Sequence, residues 1–518
     1  MNKKIKITDN LKKPLNKAFY GTAGYRSNTD DLTNIICRAS FIAYLRSASF
    51  AGKRIGLMIT ASHNPVSYNG IKFIDHNGNI LDKSWEKCSD DLVNCEDKDF
   101  HNMLNKILRK NSNICDINDG ITGHVVIGRD TRKSGEALVE HIKSVLLQVD
   151  CIVEDYGEVS TPQMHFLIRH SNMANCLVDK KIYMQHLVSN FRTLKDLTQC
   201  DLPVFVDTAN GIIEKNIVDE FNITIINDKN GIINNDCGAD YVKTHSALPL
   251  LQYNFKNNND STLFASFDGD ADRLILFTLQ NGFLMLDGDA QAVLIANYFH
   301  RVLQKLEIDL QIGVILSFYT NSGCFSALKN FKTEMVQTGV KNFAKAAKKY
   351  DIGIYFEPNG HGSVMFSNVA IQAFTSDKTN EHKILEVLSK LFDPNIGDAL
   401  ANLLIFKCIL SSTDKLKEYK ENGSRNLVVK IQNKRSIITN DKNEVTTPKA
   451  LQDKINEELT KFEGRAFIRP SGTEDVVRVF AECVNQRDAD VLALKVAQLV
   501  YDMCDGVGNH PEIDYSKK

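Results

Sequence analysis

No apolar run in this chain approaches the roughly 20 residues needed to span a bilayer, so a membrane protein is not expected. The N-terminus, Met1-Asn-Lys-Lys-Ile-Lys-Ile7, is basic, but no apolar signal core follows it. Secretion is therefore not expected, and the chain reads as cytoplasmic. Twelve cysteines are scattered from Cys37 to Cys504 without a single C-x-x-C pair, which removes support for a zinc ribbon or redox dithiol and leaves free thiols as the expectation. A net charge of −2 supplies no basic field for nucleic acid. No G-x-x-x-x-G-K-[ST] occurs, so a Walker A loop is absent. What remains is ordinary globular composition, 43% hydrophobic and 24% charged over 518 residues, enough for three or four domains with real cores.

Several short apolar runs end in a polar Gly/Asp/Asn cluster and precede a helical pattern. They are His124–Ile127 before Gly128–Lys133, Pro203–Val206 before Asp207–Gly211, Thr262–Phe267 before Asp268–Arg273, and Ile352–Phe356 before Glu357–Gly362. Strands alternating with helices imply an α/β fold with mixed, largely parallel sheets. After a polar, Lys-rich stretch from Thr413 to Asn426, the pattern changes to strands near Leu427–Ile431 and Ala466–Ile468 and helices at Pro448–Phe462 and Ala489–Met503. This reads as a smaller α+β domain. Segment 82–116, rich in Asp, Lys and Asn, reads as mostly solvated surface. The expected division is 1–180, 181–290, 291–412 and 425–518.

Four motifs carry chemistry. Thr60-Ala-Ser-His-Asn-Pro65 follows the apolar run Arg54–Ile59 and precedes a turn-rich Tyr68-Asn69-Gly70, which puts Ser62 where a strand gives way to a loop. Taken alone, Ser62 is equally readable as a turn or cap residue. Asp268-Gly-Asp-Ala-Asp-Arg273 places three carboxylates at i, i+2 and i+4, a repulsive cluster without a cation, and hard oxygen ligands favour Mg²⁺ or Ca²⁺. An EF-hand is ruled out, because its sixth and twelfth positions would be Arg273 and Leu279. A small octahedral Mg²⁺ with room for a phosphate oxygen fits best, with Arg273 beside it as a phosphoryl ligand. Arg469-Pro-Ser-Gly-Thr-Glu474 followed by Arg478 has the composition of an anion nest with two guanidinium clamps, or else of a plain turn. Glu357-Pro-Asn-Gly-His-Gly362 suits vicinal sugar hydroxyls, or a surface turn.

In chain order, Thr60–Pro65, Asp268–Arg273, Glu357–Gly362 and Arg469–Thr473, the four motifs resemble the α-D-phosphohexomutase superfamily. The Asn-Gly-His-Gly loop, Tyr20–Arg26, Cys237–Lys243, Thr338–Lys341 and Arg469–Val479 are similar to its phosphoacetylglucosamine mutase family. The resemblance runs from about residue 19 to about residue 510. It implies three related α/β domains and a C-terminal α+β domain around a central cleft. It also implies a phosphoserine at Ser62, one Mg²⁺ per chain on Ser62, Asp268, Asp270 and Asp272, and His63, Lys72 and Arg26 as candidates for moving the proton. Glu357 and Asn359 would hold sugar hydroxyls, with Gly360, His361 and Arg273 also binding substrate, and Arg469, Pro470, Ser471, Gly472, Thr473 and Arg478 would hold the non-transferred phosphate. Pro358, where alanine is the family's usual residue, would stiffen the sugar loop. The implied reaction interconverts N-acetylglucosamine 6-phosphate and 1-phosphate through a sugar bisphosphate, toward UDP-N-acetylglucosamine. The implied partners are small phosphosugars, with no nucleic acid and no membrane. Arg129 and Arg132 are further candidates to line the cleft. Rival readings are the same chemistry on glucose or mannose phosphates, a Mg²⁺-dependent phosphatase, and a non-catalytic sugar-phosphate sensor.

Overall fold

A five-stranded sheet built from the first 160 residues carries the serine motif at a strand end. The computed structural model describes residues 4–21, 24–117, 120, 122–213, 221–249, 263–279, 282–377, 379–411, 419–471 and 475–512. In chain order come β1 (Gly24–Ser27), α1 (Leu32–Ser49), β2 (Arg54–Ile59), β3 (Asn69–Ile74), α2 (Lys83–Asn94), α3 (Phe100–Asn111), β4 (Gly123–Arg129), α4 (Ser134–Leu146), β5 (Cys151–Glu158), α5 (Thr161–Ala174) and α6 (Lys181–Thr198). The sheet order is β1-β3-β2-β4-β5. The β2–β4 and β4–β5 pairs are parallel, and β3 runs antiparallel to both its neighbours. Strand β2 is buried from Ile55 to Ile59, as a central strand covered on both faces must be.

Two expectations fail here. The segment 82–116 is not mostly solvated surface, because it forms α2 and α3. Trp85, Cys88, Leu92 and Val93 of α2, and Phe100, Leu104, Ile107 and Leu108 of α3, join the core with α1. Their three- and four-residue spacing gives each helix one apolar stripe, and the Asp, Lys and Asn residues occupy the opposite face. The buried Arg38 of α1 closes this junction by donating to the carbonyls of Leu11, Val93 and Cys95. Tyr68-Asn69-Gly70 is also not a turn, since β3 already begins at Asn69. Gly70 lies so close to the neighbouring strand that a Cβ there would sit 2.2 Å from the Tyr25 carbonyl oxygen.

A second sheet follows, with β6 (Val204–Asp207), β7 (Ile223–Ile226), α7 (Ala239–His245), β8 (Leu263–Phe267), β9 (Leu274–Thr278) and β10 (Leu284–Leu286) in the order β10-β9-β8-β6-β7. The aspartate loop does not lead into a helix as expected. It reverses the chain into β9, which pairs antiparallel with β8 from Phe267↔Leu274 onward. Next come α8 (Gly288–Lys305), β11 (Ile312–Ser317), β12 (Lys332–Val336), α9 (Val340–Ala347) and β13 (Ile352–Phe356), with β12, β11 and β13 mutually parallel in that order. The Glu357–His361 loop likewise leads into a strand, β14 (Gly362–Phe366), before α10 (Asn368–Thr375), α11 (Asn380–Leu391) and α12 (Ala399–Leu410). Every residue of α12 is buried, and the helix packs on α6, α11 and β9.

The C-terminal part has the expected style. It comprises β15 (Gly423–Lys430), β16 (Ile438–Thr439), β17 (Val445–Thr447), α13 (Lys449–Leu459), β18 (Gly464–Pro470), β19 (Val476–Cys483) and α14 (Gln486–Met503), with an antiparallel β15-β19-β18 sheet. Leu492, Val496 and Val500 of α14 join its core with Val477 and Val479 of β19. The chain sorts into two units. Met1–Gly288, Arg301–Leu310 and Asn359–Leu416 make the first, and Asp289–His300, Gln311–Pro358 and Lys417–Lys518 the second. Among the described residues no helix is long and apolar enough to cross a membrane. None of the twelve cysteines forms a disulfide.

Candidate active site

Ser62 lies three residues beyond the end of β2 and is 1% exposed. Its φ of +54° is left-handed, a region that costs a non-glycine residue on the order of 1 kcal/mol. Its surroundings hold it there. The Thr60 hydroxyl accepts from the Ser62 N–H at 2.9 Å and donates to Asp130 at 2.7 Å. Arg132, itself paired with buried Asp130, donates to the carbonyls of Ser62 (3.1 Å) and Asn64 (2.7 Å), and Asn234 donates to the same two at 2.8 and 3.1 Å. The serine caps no helix. Its hydroxyl donates to Asp268 Oδ2 at 2.7 Å, an interaction that joins motifs 206 residues apart.

The three aspartates are buried, and one ligand oxygen from each lies within 4.8 Å of the other two. Asp268 Oδ1 accepts the backbone N–H groups of Asp272 and Arg273 at 3.0 and 3.1 Å. Asp270 Oδ2 accepts from Lys72 (2.7 Å) and Thr161 (2.6 Å). Asp270 Oδ1, buried equally deeply, has no partner. A buried triad of carboxylates that includes an orphaned oxygen is what a hard divalent cation completes, so the donor set fits Mg²⁺. Charge is divided unevenly. Burial and the charges of Asp272 and Asp270 hold Asp268 well above the usual carboxylate range. Burial pushes Asp270 and Asp272 upward too, but the Lys72 ammonium together with the Thr161 hydroxyl at Asp270, and with His361 and Arg273 at Asp272, holds both low.

Lys72, on β3, reaches Asp270 and Asp272 at 2.7 Å each, and despite its burial these carboxylates keep it protonated. His63 is half-buried, and its Nδ1 is shielded without a partner. Burial, then the guanidiniums of Arg273 and Arg26, pushes its pKa down to about 2, so the ring is neutral. Arg26 donates to the Asn64 side chain at 3.2 Å. Arg273 lies 3.8 Å from Asp268 and 3.6 Å from Asp240.

The 357–362 motif is divided between the units. Glu357, in the second, accepts from the Gly339 N–H at 3.2 Å. In the first, Asn359 accepts from the His361 N–H at 3.0 Å, and His361 Nδ1–H donates to the Asp272 carbonyl at 2.9 Å. Gly360, at φ +87°, presses on β9 so tightly that a Cβ would lie 2.1 Å from the Leu274 carbonyl oxygen. The aspartate loop is thus fastened by the loop 89 residues downstream, and also by α12, whose Ala399 N–H donates to the Ala271 carbonyl at 3.1 Å.

In the second unit β18 and β19 place Arg469 directly across from Arg478. Arg469 donates to the Thr338 hydroxyl, Arg478 is exposed, and Pro470 and Ser471 continue the strand end, with Ser471 N–H on the Val476 carbonyl at 2.9 Å. Like charges directly opposite are unfavourable unless an anion lies between them. Gly472 and Thr473 lie outside the described residues. Arg132 does not line a cleft but holds the serine loop, fully buried, while Arg129 pairs with Glu158 at 3.1 Å. Sequence reasoning missed Thr60, Asp130, Thr161 and Asn234 as site residues. The available signal for Thr161 was the Ser160-Thr-Pro-Gln163 capping box that starts α5.

Comparison with known proteins gives four family matches. Residues 42–95 and 107–184 match phosphoglucomutase/phosphomannomutase, alpha/beta/alpha domain I, and residues 429–499 match its C-terminal domain. Residues 183–275 and 287–415 match phosphoacetylglucosamine mutase AMG1, domains II and III. The chain is 52% identical over 530 residues to a probable phosphoacetylglucosamine mutase of Encephalitozoon cuniculi, covering 100% of both chains. It is similar to the crystal structure of an N-acetylglucosamine-phosphate mutase in its substrate complex, with TM-score 0.86, 32% identity and coverage of 94% and 97%. It is also similar to the Aspergillus fumigatus N-acetylphosphoglucosamine mutase in complex with GlcNAc-6P and magnesium, with TM-score 0.85, 30% identity and coverage of 94% and 96%.

Proposed function

The chain belongs to the phosphoacetylglucosamine mutase family, and from that premise we propose that it interconverts N-acetylglucosamine 6-phosphate and N-acetylglucosamine 1-phosphate with Ser62 as its phosphate carrier. The observation that carries this reading is the 2.7 Å bond from Ser62 Oγ into a buried aspartate triad that retains one unpaired oxygen. Asp268, Asp270, Asp272 and Ser62 would hold one Mg²⁺ per chain. Bound there, the cation would offset the roughly −1.5 to −2 charge of a phosphoserine and polarise its phosphoryl group.

The chain's own residues then divide the work. Segment 1–180 presents the phosphoserine and 181–290 the aspartates, while 291–412 bears Glu357, Asn359, Gly360 and His361 for the sugar. Segment 425–518 bears Arg469, Pro470, Ser471, Gly472, Thr473 and Arg478 for the phosphate that stays put. Arg26 and Arg273 add fixed positive charge where the transferring group sits. Lys72, kept protonated by two carboxylates, serves as a cation and not as the base. His63 has the one neutral basic nitrogen among the three proton-transfer candidates, and an incoming phosphate dianion would raise its proton affinity. Transfer from Ser62 to a sugar hydroxyl gives the bisphosphate. After the sugar turns around, its other phosphate reloads Ser62, and the product feeds synthesis of UDP-N-acetylglucosamine.

Intact-protein mass spectrometry should find one added phosphate, mapping to Ser62. Ser62→Ala should lose turnover of N-acetylglucosamine 6-phosphate by several orders of magnitude. Wild-type-like rates in that variant would end the carrier assignment. Release of inorganic phosphate in place of isomer would favour a phosphatase, and equal rates on glucose or mannose 6-phosphate would remove the assigned sugar preference.

A further inference from the structure

One face of the C-terminal sheet presents three successive cross-strand pairs, Arg465↔Glu482, Phe467↔Phe480 and Arg469↔Arg478, two residues apart on each strand and therefore side by side. The loop after β11 lies along these pairs. Arg465, paired with Glu482 at 2.8 Å, donates to the carbonyls of Phe318 (3.0 Å) and Thr320, gripping the residues on either side of Tyr319. Glu482 accepts from the backbone N–H of Ser322 at 3.1 Å, fixing the same loop further along. The Tyr319 ring then stands edge-on to the second pair, with centroids 5.0 Å from Phe467 and 5.4 Å from Phe480. Its hydroxyl is shielded from solvent and has no hydrogen-bond partner. Burial raises its pKa, while the guanidiniums of Arg469 and Arg478, in the pair next along the strands, act in the opposite direction.

A clamped backbone and a fixed ring make an unpartnered donor costly, and such a group is expected to be satisfied by a ligand. We propose that Tyr319 is a further substrate-binding residue, its hydroxyl donating to the phosphate held between Arg469 and Arg478. This rests on the reading of that arginine pair as the clamp for the non-transferred phosphate. A neutral phenol adds a directed hydrogen bond to the diffuse charge of the two guanidiniums, and it serves either orientation of the sugar equally.

The test is calorimetric titration of N-acetylglucosamine 6-phosphate and, separately, N-acetylglucosamine 1-phosphate into Ser62→Ala protein, where no phosphate moves. Adding Tyr319→Phe keeps the ring and its packing and should weaken both affinities about tenfold, the effect of losing one hydrogen bond to a charged group, with Tm unchanged or raised because the unpartnered hydroxyl is gone. Unchanged affinity, or weaker affinity accompanied by a lowered Tm, overturns the proposal. Arg469→Ala in the same background separates the two claims. If it weakens binding and Tyr319→Phe does not, the tyrosine assignment alone fails. If neither does, the clamp reading fails and the tyrosine assignment goes with it.

Discussion

Arg469 and Arg478 face each other across β18 and β19 with no acidic residue in their cross-strand pair. Arg469→Ala should therefore cost the unliganded protein little stability while raising KM for both phosphosugars about tenfold or more, measured by coupled assay in each direction. Loss on one substrate alone would mean that the two orientations do not share the clamp. At this scale the sequence was most readable where chemistry is concentrated in a contiguous hexapeptide, as at Ser62 and the three aspartates. It was silent on Thr60, Asp130 and Asn234. Each is an ordinary polar residue locally, and only the folded path of the chain brings Asn234 to the Ser62 carbonyl.

Helix α12 shows what an element contributes. Its N-cap, Asp398, is buried, accepts from the Ala401 N–H (3.0 Å) and the Tyr183 hydroxyl (2.8 Å), and by burial has its pKa pushed up to about 7. An unfolded aspartate titrates near 3.9, so between about pH 4 and pH 7 the folded chain holds the extra proton. The stability contributed at this site therefore falls as pH rises through that window and is gone above it. Asp398→Asn keeps a capping oxygen without the charge, and should be more stable than wild type at about pH 8 by roughly 4 kcal/mol, converging with it near pH 4. Denaturant midpoints across pH would measure this, and parallel curves for the two proteins would refute it. Elements were legible where the pattern was strong, as in β4, β8 and α14. The polar-looking α2 and α3 were not, because a single apolar stripe such as Trp85, Cys88 and Leu92 is diluted by charged neighbours. The strands after the aspartate and sugar loops were missed because a strand-to-strand reversal has no composition that separates it from a strand-to-helix turn.

For the molecule as a whole, a cation held by the acidic triad would link folding to metal binding. Metal-stripped protein should gain Tm on adding Mg²⁺, by the equivalent of about 2.7 kcal/mol at a hundredfold excess over Kd, and Asp270→Asn should abolish most of that gain. A Tm indifferent to Mg²⁺ would dissociate the triad from the metal. The threading of the chain bears on how such a protein is made. The aspartate loop is complete once Arg273 has been synthesised, yet His361 and Ala399, which fasten it, and α12, which underlies β9, come much later. The first unit closes only with its last segment, Asn359–Leu416. At ordinary translation speeds residue 416 emerges roughly 20 to 80 s after the first. Through roughly the last third of that interval the nascent chain carries three crowded carboxylates on an unsupported hairpin, so its yield in a cell should depend on chaperone protection and growth temperature more than the stability of the finished enzyme would suggest.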